Sequence, residues 1–169
     1  AGDPRRYAAT MLQLVLGGNM SSRLFQVIRE QLGLAYAIQS FLQFFSDAGL
    51  VGISAGVSPQ NLSAIMAAIR RELKQLQEEK VSEAELTATK EHLRGSIMMS
   101  SEDCDHLMGR LAKNELNFGR YIPQADIIAG MLKVTAEEIR EVARDLLRPE
   151  AWGVALLGPV DDAGNYSLC

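Results

Sequence analysis

Histidine and cysteine are scarce in this chain, with two of each among 169 residues, and that scarcity excludes most kinds of site chemistry. Cys104 falls on the apolar side of a predicted helix and Cys169 is the last residue, so their spacing offers neither a metal knuckle nor a disulfide framework. The expected compartment is a reducing one, the cytoplasm, although a targeting segment could have sat on a missing part. His92 and His106 lie on separate predicted helices with no nucleophile elbow nearby, which leaves no base for a serine or cysteine nucleophile. Both read as surface residues. No apolar run is long enough to cross a bilayer, and the N-terminus lacks the basic, apolar and small-residue order of a signal peptide. Arg70, Arg71, Lys74 and Lys80 alternate with Glu72, Glu78 and Glu79 in a chain of net charge −4, so there is no basic stripe for nucleic acid. Gly17-Gly18 lacks the spacing of a phosphate-binding loop and does not follow a strand, which argues against a nucleotide site.

What the chain does have is an apolar content of 47 %, enough for one domain with a sizeable core. Asp3-Pro4 opens a first helix, expected over Pro4 to Leu16, with Tyr7, Met11, Leu14 and Val15 on its apolar face. Gly17 and Gly18 end it. Ser21 or Ser22 then caps a second helix whose buried face is Leu24, Phe25, Ile28 and Leu32, and Gly33 closes that helix. Residues Leu34 to Phe45 and Leu50 to Val57 alternate as a hairpin around the turn Ser46-Asp47-Ala48-Gly49. The Phe41, Phe44 and Phe45 cluster reads as core. Ser58-Pro59 opens a long amphipathic helix carrying Leu62, Ile65, Met66, Ile69, Leu73 and Leu76. Ser82-Glu83-Ala84-Glu85 reads as a capping box for the next helix, with Leu86, Leu93 and Ile97 inward. After a break near Ser100-Ser101 comes a helix bearing Cys104, Leu107, Met108 and Leu111. A short helix follows from about Gln124 to Leu132, and Thr135 caps a last one with Ile139, Val142 and Leu146 on its core face. Ala151 to Leu157 reads as a buried final strand. This order predicts an α+β fold, a mainly antiparallel sheet with helices packed on one face. In it, Arg29 stands in the last turn of the second helix and Tyr36 at the start of the strand that folds back beside it, so the two side chains can share one space.

The strings Leu16-Gly17-Gly18, Ser21-Ser22-Arg23-Leu24-Phe25, Arg29-Glu30 and Gly33-Leu34-Ala35-Tyr36 resemble the second-half domain of the pitrilysin/insulinase-type zinc peptidases, which include the mitochondrial processing peptidase. The likeness continues more weakly to Trp152-Gly153-Val154-Ala155-Leu156-Leu157-Gly158-Pro159. It implies one metallohydrolase-like half-domain over residues 1–169, expected to be a fragment of a longer chain. The catalytic half of that family carries H-x-x-E-H, with two zinc ligands and a water-activating Glu. Here Glu91-His92 imitates only its tail, since position 88 is Ala88, and the positions loosely matching the zinc helix are Ala9, Leu12 and Gln13. The resemblance therefore implies no metal and no catalytic residue in this chain, with zinc in a partner half carrying H-x-x-E-H. It implies that Arg29 and Tyr36 hold a peptide substrate and support the oxyanion. Gly17, Gly18, Ser22, Arg23, Leu24, Phe25 and Gly33 are then architectural, with Arg23 in a structural salt bridge and Leu24 and Phe25 packing the helix on the sheet. Scaffold proteins of the same fold, such as the core subunits of the respiratory bc1 complex, are the alternative.

Overall fold

A computed structural model describes residues 3–45, 47–100 and 103–158. Helix α1 spans Arg6–Gly17, slightly later than expected, because the Asp3 carboxylate accepts the Arg5 N–H and its carbonyl accepts that of Arg6. The chain thus enters through a turn. From Ala8 to Gly17 this helix is largely buried, packing against the first strand and against the helices that follow. Met11, Leu12 and Leu16 are wholly removed from solvent, each worth roughly 1.5–3 kcal/mol of transfer free energy.

A π-helical segment, Phe25–Gln31, leads into the hairpin β1 (Ala35–Phe44) and β2 (Gly49–Val57), which pair antiparallel with Phe44 opposite Gly49 and Phe41 opposite Gly52. The Phe45 N–H donates to the Ala48 carbonyl at 2.9 Å to close the turn, of which Ser46 lies outside the described residues. Phe41 lies across Gly52, where a Cβ would strike its ring, whereas Phe44 and Phe45 at the hairpin tip are exposed and are not core. Ile38 and Ser40 face the helices, and Ala37, Gln39 and Gln43 leave the opposite face open.

Helices α2 (Leu62–Glu78), α3 (Glu83–Ser100), α4 (Cys104–Phe118), α5 (Gln124–Leu132) and α6 (Ala136–Leu146) follow. The reciprocal capping box of α6 is formed between Thr135 and Glu138. On α6 the buried positions are Ala136, Ile139, Val142 and Ala143, and Leu147 fills the place expected for the exposed Leu146. Of the apolar face expected on α4, Leu107 lines the groove against α3 and α5, whereas Met108, Leu111 and Cys104 are exposed.

The predicted final strand does not form. A 3-10 turn at Pro149–Ala151 leads into an unpaired run in which Val154, Leu156 and Leu157 are exposed, and Pro159 and Cys169 lie outside the described residues. Trp152 is anchored, its Nε1–H donating to the Leu147 carbonyl at 3.1 Å. Strand propensity in Val154-Ala155-Leu156-Leu157 is a fit to a pleated neighbour, and among the described residues the sheet holds β1 and β2 alone. No helix of the described residues is long and apolar enough to cross a membrane.

Candidate functional site

The Gly17–Tyr36 motif folds into a scaffold that sets one helix end beside one strand start. A Cβ on Gly17 would sit 2.6 Å from the Ser40 backbone nitrogen, so this glycine lets α1 lie directly against β1. Two bonds hold the contact: Gln13 Nε2 donates to the Ser40 carbonyl and Ser40 Oγ donates to the Gln13 carbonyl, both at 2.8 Å. At Gly18 a Cβ would meet Leu14 at 2.7 Å. The turn that follows is built on Asn19, whose Oδ1 accepts the Ser21 N–H and whose carbonyl accepts both the N–H and the Oγ–H of buried Ser22. Neither serine side chain accepts from the helix in the predicted manner.

Arg23 reaches back to α3, where its Nε and Nη2 donate to the two Glu85 oxygens at 2.8 Å each. Glu85 holds this guanidinium firmly protonated, pushing its pKa up despite burial. Ser82 Oγ still accepts the Glu85 N–H at 3.2 Å, but the Glu85 carboxylate is committed to Arg23, so only half of the predicted capping box is made. Leu24 and Ile28 are fully buried, which pins the helix on the core.

Beyond Leu24 the bonding widens. The Leu32 N–H reaches the Val27 carbonyl at 3.0 Å and the Leu34 N–H reaches that of Ile28 at 2.9 Å, spans of five and six residues. That extra residue in the turn rotates Leu32 away from the Leu24–Ile28 face, and Leu32 is 47 % exposed where an α-helix would bury it. Gly33 takes a φ of +60°, which turns the chain into β1. There a bulge intervenes: Ala35 pairs with Val57 and Ala37 with Gly56, leaving Tyr36 as the extra residue. Such irregularities re-aim a side chain, and Tyr36 emerges 86 % exposed between buried Ala35 and Ile38.

Arg29 and Tyr36 are brought together. The Arg29 Cζ lies 4.7 Å from the Phe25 ring centre and 5.6 Å from that of Tyr36, contacts worth about 0.5–1 kcal/mol each when exposed. Phe25 thus serves as a platform for the guanidinium, a role that its apolar character alone did not suggest. The Glu30 carboxylate at 3.6 Å is a loose partner. Beside them a hollow of about 260 Å³ is lined by Phe25, Arg29, Ala37, Ile38, Gln39, Ser54 and Gly56. A half-exposed guanidinium and a phenol can both donate to a carbonyl oxygen.

The other titratable residues do not assemble a centre. His92 and His106 are exposed on α3 and α4, and no three His, Cys, Asp or Glu side chains among the described residues are grouped so as to hold a metal ion. The described residues do not fit a zinc site. Sequence reasoning missed Glu72, which is buried on α2 with Arg71 Nε 3.5 Å away. Its spacing, four residues from both Ala68 and Leu76, was the available signal.

Residues 1–93 match the family model described as the peptidase M16 inactive domain. An uncharacterized zinc protease of Streptomyces coelicolor is 38 % identical over 162 residues, 95 % of this chain and 35 % of that protein. The chain therefore spans about a third of the length of the curated relatives it matches. A crystal structure of a peptidase M16 inactive domain from Pseudomonas fluorescens superposes with a TM-score of 0.77 at 20 % identity, covering 86 % of this chain and 35 % of that one. A chain of complex III2 from Candida albicans does so with a TM-score of 0.73 at 15 % identity, covering 85 % and 36 %.

Proposed function

The chain belongs to the peptidase M16 family as its inactive domain, and from that premise we propose that it is the substrate-holding, non-catalytic half of a zinc-dependent endopeptidase. The observation that carries this reading is the Arg29 guanidinium set beside the exposed Tyr36 on the Phe25 platform. In this role Arg29 and Tyr36 donate to a peptide carbonyl, fixing the substrate and offsetting charge that develops on that oxygen. Zinc and the water-activating carboxylate are assigned to a partner half carrying H-x-x-E-H, on the same polypeptide or a separate subunit. The proposed setting is the cytoplasm, and the proposed ligand an extended polypeptide of presequence-like kind.

With the catalytic half present, Arg29→Ala and Tyr36→Phe are expected to lower peptide turnover at least tenfold, since removing one preorganised donor to an oxyanion typically costs 100-fold or so. Unchanged turnover in both variants removes the pair from the mechanism. Tight stoichiometric zinc, or robust cleavage by this chain alone, would refute the division of labour.

A scaffold role is the second reading, favoured by the fold shared with a chain of complex III2. An intact H-x-x-E-H upstream or in an adjacent gene supports the peptidase, and a degraded motif supports the scaffold.

A further inference from the structure

Between α3, α4 and α5 lies a groove of about 210 Å³ walled by Leu93, Ile97, Leu107, Ile127 and Met131, with Arg110 at its side. Arg110 makes no hydrogen bond, ion pair or ring contact with any described residue, and its Nη1 is shut away from solvent without an acceptor. Two other arginines also have one such nitrogen, yet each is held through another: Arg23 by Glu85 and Arg140 by Glu137. Among the described residues Arg110 has no such carboxylate. The nearby polar groups do not supply one, because Gln124 Nε2 and Ser100 Oγ both donate to the Ile97 carbonyl and His106, one turn earlier on α4, is no anion.

A partly buried, unanswered guanidinium is costly, and an entering carboxylate would offset that cost through charge-assisted, bidentate bonding. The space amounts to roughly seven waters at about 30 Å³ each. That is room for one aliphatic residue and too little for a long acyl chain. We propose that this groove binds the C-terminal aliphatic residue of a peptide, with the α-carboxylate on Arg110 and the side chain among Leu93, Ile97, Leu107, Ile127 and Met131. Free peptide ends are what an endopeptidase generates, so the source of this ligand rests on the reading above, whereas its binding does not require catalysis.

The test is calorimetric titration of the full chain with N-acetyl-leucine, N-acetyl-leucinamide and octanoate, in the wild type and in Arg110→Met and Arg110→Lys. N-acetyl-leucine is expected to bind in the millimolar range, the amide at least tenfold more weakly, and Arg110→Met to lose at least tenfold while Arg110→Lys retains part of the affinity. Without ligand, Arg110→Met is expected to melt no lower than the wild type. Equal binding of acid and amide, or binding indifferent to Arg110→Met, overturns the site. Binding of octanoate without N-acetyl-leucine overturns the peptide as its occupant. A clearly lower melting point for unliganded Arg110→Met shows that the guanidinium is already used structurally and overturns the premise. Because no turnover is read, failure here leaves the Arg29–Tyr36 proposal standing, and the reverse holds too.

Discussion

Removing Glu85 tests how the motif helix is anchored. Its carboxylate takes two N–H groups of Arg23 at 2.8 Å, with side-chain exposures of 16 % for Arg23 and 29 % for Glu85. Exposed ion pairs contribute about 0–1 kcal/mol, while stripping one partner from a fully buried pair costs about 3–5 kcal/mol because the other charge is stranded. This pair lies between, nearer the buried limit, since Arg23 already has Nη1 enclosed without an acceptor. Glu85→Leu should therefore destabilise by about 2–3 kcal/mol, and at about 2–4 °C per kcal/mol for a chain of this size the melting midpoint should fall by roughly 4–12 °C. Arg23→Met together with Glu85→Leu removes both charges and should cost less than the sum of the two single changes, giving a coupling of at least about 1.5 kcal/mol. The assay is urea unfolding of the four proteins followed by circular dichroism. A Glu85→Leu cost below about 1 kcal/mol with coupling under about 0.5 kcal/mol would show that the bond is ornamental and that Leu24 and Ile28 alone fix the helix.

Two glycines of the motif should respond to alanine for different reasons. At Gly17 a methyl 2.6 Å from the Ser40 nitrogen meets backbone in a strand, so an overpacking cost of about 1–3 kcal/mol outweighs the roughly 1 kcal/mol gained in helix propensity. At Gly33 nothing lies within 4 Å, and the cost of about 1–2 kcal/mol comes from φ +60° alone; thermal unfolding should rank both variants below wild type, and a Gly17→Ala protein as stable as wild type would deny the close approach. Glu137 is held below its ordinary pKa by Lys80 and Arg140. Because the folded value is depressed, its contribution is present above the unfolded glutamate pKa of about 4.3 and is lost as pH falls through the folded value. Glu137→Gln should accordingly flatten the acid limb of the stability profile below about pH 4.3 and leave its shape at neutral pH unaltered; an unchanged acid limb would refute the assignment.

Much of this architecture was legible because it is periodic. The faces Ile65–Leu76 and Ile139–Val142, the Thr135 cap and the hairpin with its turn all follow from spacing and turn residues. What escaped depends on partners that a sequence does not display. Val154 to Leu157 has the composition of a buried strand and no described neighbour to pair with. Glu85 has the spacing of a capping residue, yet a guanidinium 62 positions away outcompetes the backbone for it. Leu32 satisfies the helical pattern and still faces solvent, because the widened hydrogen bonding of Phe25–Gln31 carries no residue signature.

The placement of Tyr36 shows how one of these silent irregularities decides a site. Ser40 and Ile38 face the core, and continuing their alternation backward by two would put Tyr36 on that same buried face, beneath the helix. Its ring would then be packing material, and Arg29 would stand alone over Phe25. The unpaired extra residue between the Ala35–Val57 and Ala37–Gly56 pairs resets the alternation, so that Ala35 is buried and Tyr36 emerges. Inserting one alanine between Gly56 and Val57, so that Tyr36 gains a partner and the pairing becomes regular, should therefore withdraw the phenol from solvent while keeping the hairpin, an outcome that tyrosine accessibility to iodination or nitration can read directly. A Tyr36 that remains as reactive as in the wild type would mean that the turn at Gly33, and not the bulge, aims it.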